Sequence, residues 1–216
     1  PEKTADAEYD DWDLTDRWAI SLQGKYYTEP MDVVVDMPEL DGIPLKLISS
    51  GAFYNNAMVT SLTVKNPIER IAYRAFCNAS NLKNVTFYNK GEGIDFIDTL
   101  AFSDCRSLES IDLSNSSITE IPENAFSNCT KLEEIQGLSN CKISEIGTDA
   151  FAGCYNLKTF DISSATITSL PDTICSNMYA LTSIHLPKTL TSIGTSALEG
   201  CKKLEEITGI SDCKLT

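Results

Sequence analysis

The apolar residues of this chain follow a pattern that repeats along most of its length. Seven segments of eleven residues align without gaps, and the eighth residue of each is an apolar anchor. The anchors are Phe53, Phe76, Phe102, Phe126, Phe151, Cys175 and Leu198, spaced 23, 26, 24, 25, 24 and 23 residues apart. A period in this range indicates a repeat architecture, in which each unit buries its apolar positions only by stacking on its neighbours.

Further apolar columns follow each anchor. They lie six and nine residues past it, and in five repeats a third lies two residues later. The columns are Val59, Leu82, Leu108, Leu132, Leu157, Leu181 and Leu204; Leu62, Val85, Ile111, Ile135, Phe160, Ile184 and Ile207; and Val64, Phe87, Leu113, Ile162 and Leu186. The final alternation of apolar and polar residues has the period of a β-strand, so each repeat is predicted to contribute one short strand.

The segment that leads into each anchor has the form Ile-x-x-x-Ala-Phe, with a small residue beside a large ring. This combination suits backbone that turns tightly over a core, and we predict a short helical or 3₁₀ segment there. Gly137 and Gly209 interrupt two of the strand patterns, which predicts a β-bulge at each. A loop insertion at residues 90–93 explains the 26-residue spacing.

The N-terminal part of the chain differs from the repeats in charge. Residues 1–44 hold 12 Asp/Glu and 3 Lys/Arg, a net charge of −9, which leaves −5 for the other 172 residues. Residues 18–22 and 25–27, separated by Gln23 and Gly24, form the pattern of a hairpin that would shield the first repeat. We therefore divide the chain into an acidic segment with a β-hairpin cap, residues 1–32, and a repeat solenoid, residues 33–216, of about seven to eight repeats that ends mid-repeat.

Composition excludes some classes of function. The overall net charge of −14 repels phosphate backbones and disfavours nucleic acid as a partner. No apolar run approaches the roughly 18 residues that a membrane-spanning helix needs. Because Pro1 is not a native initiator, a secretion signal has either been removed or never existed, and the sequence leaves both alternatives open.

The residues that could carry catalysis or bind a metal are sparse. Cys105, Cys129, Cys154 and Cys201 share one repeat column, which predicts buried thiols rather than disulfides. The eight cysteines form no Cys-x-x-Cys or Cys/His spacing, so no metal site is expected. His185 is the only histidine and alternates with apolar neighbours, so it should face outward from its strand without a catalytic partner. We expect no catalytic residue and no cofactor.

The repeat consensus, apolar-Thr-x-Ile-x-x-x-Ala-Phe-x-x-Cys-x-x-Leu-x-x-Ile-x-Leu-Pro, closely resembles the BspA-like class of bacterial leucine-rich repeats over about residues 33–216. Residues 181–204 are its best single example. The resemblance implies an α/β fold: a right-handed leucine-rich-repeat solenoid with a curved parallel sheet, short helical or 3₁₀ segments and a small N-terminal β cap. The sequence departs from the consensus at five positions: Asn56, Ala79, Cys175, Met178 and Leu198.

The resemblance also implies a function. It suggests a secreted or surface-anchored, non-catalytic binding or adhesion module that engages a host or cell-surface protein or glycan. A structural spacer that presents another domain is the alternative. An enzyme such as a hydrolase has only scattered acidic residues and one histidine in its support.

The strand face that points away from the core is the candidate binding surface, because curved solenoids commonly bind through their concave sheet. The candidate ligand-binding residues are Lys65, Thr86, Tyr88, Asp112, Gln136, Asp161 and His185. This polar face suits a protein surface or a sugar better than an apolar ligand. An ordinary hydrated sheet without a ligand is an equally good interpretation of the same residues.

The chain stops in mid-repeat at Thr216, where the corresponding repeat continues from Ser144 into Glu145. We expect either that the natural protein continues beyond this residue or that the uncapped last repeat associates end to end with a second chain.

Overall fold

The computed structural model describes residues 18–20, 29–36, 39–40, 43–65, 67–87 and 93–215. Two kinds of strand alternate along the repeats. The strands are β1 Trp18–Ile20, β2 Met31–Val35, β3 Glu39–Leu40, β4 Ile43–Ile48, β5 Val59–Val64, β6 Arg70–Ile71, β7 Asn84–Phe87, β8 Phe96–Ile97, β9 Ser110–Asp112, β10 Glu120–Ile121, β11 Glu134–Gln136, β12 Glu145–Ile146, β13 Thr159–Asp161, β14 Ser169–Leu170, β15 Ser183–His185, β16 Ser192–Ile193 and β17 Glu206–Thr208.

The predicted strand of each repeat is present, and it pairs in parallel with the equivalent strand of the next repeat except between β11 and β13. One sheet has the order β11-β9-β7-β5-β2, and a second has the order β13-β15-β17. The register is repeat to repeat, as in Ser61 opposite Asn84 and Asn84 opposite Ser110. The predicted leucine-rich-repeat solenoid with a parallel sheet is thereby confirmed, and it is mostly β-structure with very little helix.

A second ladder of very short strands was not foreseen from the sequence. It runs β4-β6-β8, then β10-β12, then β14-β16. The two-residue strands before β16 place their second residue in the core, as with Ile71, Ile121 and Leu170, none of which has measurable exposure. The isoleucine that opens the Ile-x-x-x-Ala-Phe segment is therefore the inward residue of a strand.

The anchor segments themselves are chains of tight turns and not the predicted helical segments. The residues two before and two after each anchor have positive φ angles, and Asn78, at 59°, is typical. Two left-handed residues so close together cannot continue a helix. Alternate N–H groups donate instead to the next repeat, as Phe76 does to the Ala101 carbonyl at 2.8 Å. In the described residues, 3₁₀ helix occurs elsewhere, at Leu138–Asn140 and Ile210–Asp212.

The anchor rings form a continuous stack through the core. The ring centroids of successive residues from Phe53 to Phe126 lie 4.9, 4.8 and 5.3 Å apart, with nearly parallel planes. The stack extends to Phe151 at 5.4 Å, and this last ring then meets Phe160 edge-on at 61°. The alanine before each phenylalanine is fully buried, as expected where only one bulky group fits.

The β-bulges predicted at Gly137 and Gly209 are wrong. The pairing of β11 with β9 and of β17 with β15 is one to one, without a register shift. Each glycine instead caps a 3₁₀ helix with a positive φ angle, 78° at Gly137. A Cβ on Gly137 would lie 2.2 Å from the Cα of Ser114, so this position requires glycine for its conformation and for the close approach of the neighbouring repeat.

The N-terminal hairpin can be followed only in part. Residues 18–20 of its predicted first strand form β1, which pairs in parallel with β4. Its second strand, residues 25–27, lies outside the described residues, as does most of the acidic segment. The boundary between a cap and the solenoid at residue 32 stays a prediction.

Candidate binding surface

The polar residues of the repeat strands form two rows across the sheets, which we call the strand face. The first row is Ser61, Asn84, Ser110, Glu134, Thr159, Ser183 and Glu206, and the second is Thr63, Thr86, Asp112, Gln136, Asp161, His185 and Thr208. All of these residues are exposed or half-buried. Alternation along each strand directs the residues between them into the core.

The structure brings most of the candidate ligand-binding residues onto this strand face. Thr86, Asp112, Gln136, Asp161 and His185 occupy the second row. Lys65 follows β5 by one residue, and its Nζ lies 2.9 Å from Asp36 Oδ2. Tyr88 lies outside the described residues.

Two of these side chains are held in place by their own backbone. The Ser114 N–H donates to Asp112 Oδ1 at 2.8 Å, and the Ser163 N–H donates to Asp161 Oδ1 at 3.0 Å. His185 Nδ1 lies 2.5 Å from Thr208 Oγ1 on the adjacent strand. These contacts fix the direction of the polar groups and give the face a defined hydrogen-bonding pattern.

Hydroxyl groups stabilise a carboxylate at the N-terminal end of the face. The Ser61 hydroxyl donates to Asp32 Oδ1 at 2.6 Å, and the Thr60 hydroxyl donates to it at 2.8 Å. These two hydrogen bonds hold the pKa of Asp32 below its ordinary value, and the bond from Ser61 makes the larger contribution. This carboxyl group is therefore ionised at neutral pH.

A cleft interrupts the strand face between β11 and β13, which belong to separate sheets. In the other repeats the residue before the strand donates its N–H to the preceding repeat, as Glu133 does to the Glu109 carbonyl at 2.9 Å. No backbone hydrogen bond of this kind joins β13 to β11. The cleft has a volume of about 460 Å³ and is lined by Glu133, Glu134, Ile135, Leu138, Ser139, Lys158, Thr159 and Asp161.

Sequence reasoning missed this cleft. The 3₁₀ helix Leu138–Asn140 follows β11, as Ile210–Asp212 follows β17. The available signals were Gly137, read as a bulge, and the aromatic Phe160 in a column that is otherwise aliphatic. Neither signal specifies an open space.

The second ladder carries an acidic pair of its own. Glu120 on β10 lies directly opposite Glu145 on β12. Partial burial raises the pKa of Glu120, with smaller contributions from the negative charges of Glu145 and Asp98. A small cavity of about 140 Å³ lies beside it, against Phe96 and Pro122.

The cysteine column has a structural role. The thiol of each column member donates to the carbonyl of the previous repeat's anchor, as Cys105 does to Phe76 at 3.0 Å and Cys129 to Phe102 at 3.1 Å. All eight cysteines are free. Burial raises the pKa of Cys129, Cys154 and Cys175 well above the ordinary value, so these thiols are protonated. Within the described residues no group of His, Cys, Asp and Glu could hold a metal ion.

The stacked parallel strands, the anchor column and the exposed polar rows define a leucine-rich-repeat solenoid. The model of the BspA type leucine rich repeat region matches the chain in six copies, over residues 46–174 and 96–215. The chain belongs to this family. Leucine-rich-repeat proteins of this kind are in general non-catalytic scaffolds that bind proteins, and BspA-type members are typically surface-located or secreted.

Three solved structures are similar to this chain, and the first two show the same fold. The leucine-rich-repeat protein TpLRR of T. pallidum is 23% identical with a TM-score of 0.71, and the match covers 88% of this chain and 83% of that one. TLR13, in a complex with ssRNA13, is 20% identical with a TM-score of 0.51, and the match covers 78% of this chain and 26% of that one. A leucine-rich-repeat protein of Bacteroides ovatus is 17% identical with a TM-score of 0.48, over 86% of this chain and 41% of that one.

The curated proteins contain no match to this chain. In the part of the chain that the structure describes, no helix is long and apolar enough to cross a membrane.

Proposed function

We propose that this chain is a cell-surface or secreted adhesion module that binds a host or cell-surface protein or glycan through its strand face. The observation that carries the proposal is the pair of polar rows, because they present carboxylates, hydroxyls and one imidazole over seven strands. A rigid, polar surface of this kind suits the hydrogen-bonded recognition of a protein or a sugar.

The test uses the 216-residue chain and a panel of immobilised extracellular-matrix proteins and host glycans. A strand-face variant, Thr86→Ala with Asp112→Ala and His185→Ala, should lose at least tenfold in affinity for any member of the panel that the chain binds. A matched variant on the second ladder, Glu120→Ala with Glu145→Ala and Ser169→Ala, should bind normally. A loss of affinity in the second-ladder variant alone would contradict the proposal and would indicate that the second ladder is the binding surface.

The alternative is a structural spacer that presents another domain of a longer surface protein. Stacked repeats provide the rigidity that such a role needs. This alternative gains support if neither variant changes the attachment of the natural protein to cells or matrix.

We also propose that the repeat at residues 191–215 associates end to end with a second copy of the chain. Its column residues Leu198, Leu204 and Ile207 are only half-buried, and Ile193 is 39% exposed. A second copy of the chain would cover them. Light scattering should give a mass above that of the monomer, and Ile193→Lys with Ile207→Lys should restore the monomer; a monomeric parent chain contradicts the proposal.

A further inference from the structure

The cleft between β11 and β13 combines an apolar floor with acidic walls. Ile135 and Leu138 form the floor, and Ile135 is half-buried although its column partners Ile111 and Phe160 are almost completely buried. The interruption of the sheet thus uncovers an apolar side chain that every neighbouring repeat keeps inside. An extended aliphatic group of a ligand could pack against it.

The charges around the cleft are unbalanced. Its walls carry Glu133, Glu134 and Asp161 against a single cation, Lys158. Lys158 Nζ lies 2.7 Å from Glu133 Oε2, and this exposed pair accounts for one carboxylate. Among the described residues, no lysine or arginine pairs with either Glu134 or Asp161.

The two remaining carboxylates can accept hydrogen bonds from a ligand. The Ser163 N–H donates to Asp161 Oδ1 at 3.0 Å. This hydrogen bond orients the carboxylate and does not use its second oxygen, Oδ2. Glu134 has a single long contact, 3.4 Å from the Gln136 amide nitrogen to Oε2. The facing edges of β11 and β13 also present backbone N–H and C=O groups to the cleft, because these two strands are not hydrogen-bonded to each other.

We propose that this cleft is the specificity pocket for a basic side chain, lysine or arginine, of a partner polypeptide. The aliphatic stem lies over Ile135 and Leu138, and the cationic head lies between Glu134 and Asp161. The proposal rests on the strand face being the binding surface, and it commits that surface to a partner with an exposed basic residue. The net negative charge of −14 favours the approach of such a partner.

The experiment titrates the ¹⁵N-labelled 216-residue chain with the tripeptide Ac-Ala-Arg-Ala-NH₂ and with its neutral isostere Ac-Ala-citrulline-Ala-NH₂. The arginine peptide should give saturable amide shifts at residues 134–139 and 158–161, and the citrulline peptide should bind at least tenfold more weakly. Equal binding of the two peptides, or no saturable shifts at these residues, would overturn the proposal.

Charge variants separate this site from a general attraction to acid. Glu134→Gln with Asp161→Asn should weaken the arginine peptide at least tenfold, whereas Glu120→Gln with Glu145→Gln on the second ladder should leave it unchanged. Lys158→Gln should strengthen binding, because it releases Glu133 from its ion pair. Equal losses in the two double variants, or weaker binding with Lys158→Gln, would contradict the pocket.

The pocket and the strand-face function can fail independently. The strand-face variant Thr86→Ala, Asp112→Ala, His185→Ala lies outside the cleft lining. If that variant loses the partner while the cleft variant keeps it, the pocket is wrong and the binding surface stands. If the partner is retained by both variants, the proposed function itself is wrong.

Discussion

At the scale of single residues, each repeat column has one structural role, and the core-packing role of the leucine column is the simplest to test. Leu157 is completely buried in the core cluster. Leu157→Ala should destabilise the chain by roughly 2–5 kcal/mol, because it removes buried methyl groups and leaves a cavity. Urea denaturation measures the change. The neighbouring exposed residue offers a control, and Asn156→Ala should shift stability by no more than about 0.5 kcal/mol; equal midpoints for the two variants would contradict the stacked core.

The cysteine column makes a different prediction, about reactivity. Burial raises the pKa of Cys129, Cys154 and Cys175, so at pH 8 the thiolate fraction of each is far below that of a free cysteine. A disulfide reagent such as DTNB should leave these three thiols unmodified in the folded chain and modify all eight in denaturant. Mass mapping of the labelled peptides identifies the sites. Rapid labelling of Cys129 under native conditions would contradict its burial.

The residue columns were readable from sequence because they depend only on what fits in the core. The inward Phe, Leu and Cys positions and the outward strand residues are where the periodic pattern places them. The thiol-to-carbonyl hydrogen bonds were not readable, because they depend on how one repeat lies on another.

At the scale of elements, the left-handed positions decide which segments can be helical, and two glycines allow a matched comparison. Gly137 and Gly153 both have positive φ angles, 78° and 76°. A Cβ on Gly137 meets the Ser114 backbone, whereas a Cβ on Gly153 meets the Asn128 side-chain oxygen at 2.5 Å, which can move. Asparagine tolerates left-handed backbone and already occupies the equivalent position at residue 128.

Gly153→Asn should therefore change the free energy of unfolding by less than about 1 kcal/mol, and Gly137→Asn should cost about 1–3 kcal/mol, as overpacked sites do. Chemical denaturation of the two variants measures the difference. Similar losses in both would mean that backbone conformation alone, and not the approach of Ser114, requires the glycine.

The acidic pair on the second ladder links an element to pH. The folded pKa of Glu120 is raised, so the folded state binds more protons than the unfolded state, and stability falls as pH rises from the ordinary pKa of 4.5 through the folded value. Glu120→Gln should raise the thermal midpoint at pH 7, and this gain should vanish near pH 4. Glu199→Gln, at an exposed turn, serves as the control; a gain that is independent of pH would contradict the assignment.

Element types were only partly predictable for a physical reason. The strand beside the leucine column alternates over enough residues to be recognised, whereas the strands of the second ladder after β4 have only two residues each. The helix expected before each anchor is excluded by paired left-handed residues, several of which, such as Arg74 and Leu100, carry no sequence signal for that conformation.

At the scale of the whole molecule, one level of the solenoid is joined less tightly than the others. The strand sheet is interrupted between β11 and β13, and the second ladder is interrupted between β12 and β14, the strands that follow them directly in the chain, as well as between β8 and β10. Among the bonds that cross this level are those from the Phe151 N–H to the Ile174 carbonyl, at 3.2 Å, and from Thr166 to Ile143, at 2.7 Å. The apolar core nevertheless continues through it as one cluster.

Repeat proteins gain their stability from nearest-neighbour interfaces, so a level with fewer hydrogen bonds is where the array should open first. Amide hydrogen exchange at residues 158–161 should be faster than at residues 182–185, which occupy the same position one repeat later with an intact ladder.

A substitution in the core tests the same interruption. Leu181→Ala should accelerate exchange in β13, β15 and β17 while leaving β5, β7 and β9 protected, because the interruption limits how far the destabilisation spreads along the repeats. Equal protection of residues 158–161 and 182–185, or equal acceleration by Leu181→Ala in both sheets, would contradict this prediction. Either result would show that the continuous apolar core couples the two sheets despite the interruption. Because the same opening forms the acidic cleft, a bound basic side chain should slow exchange at residues 158–161 more than anywhere else.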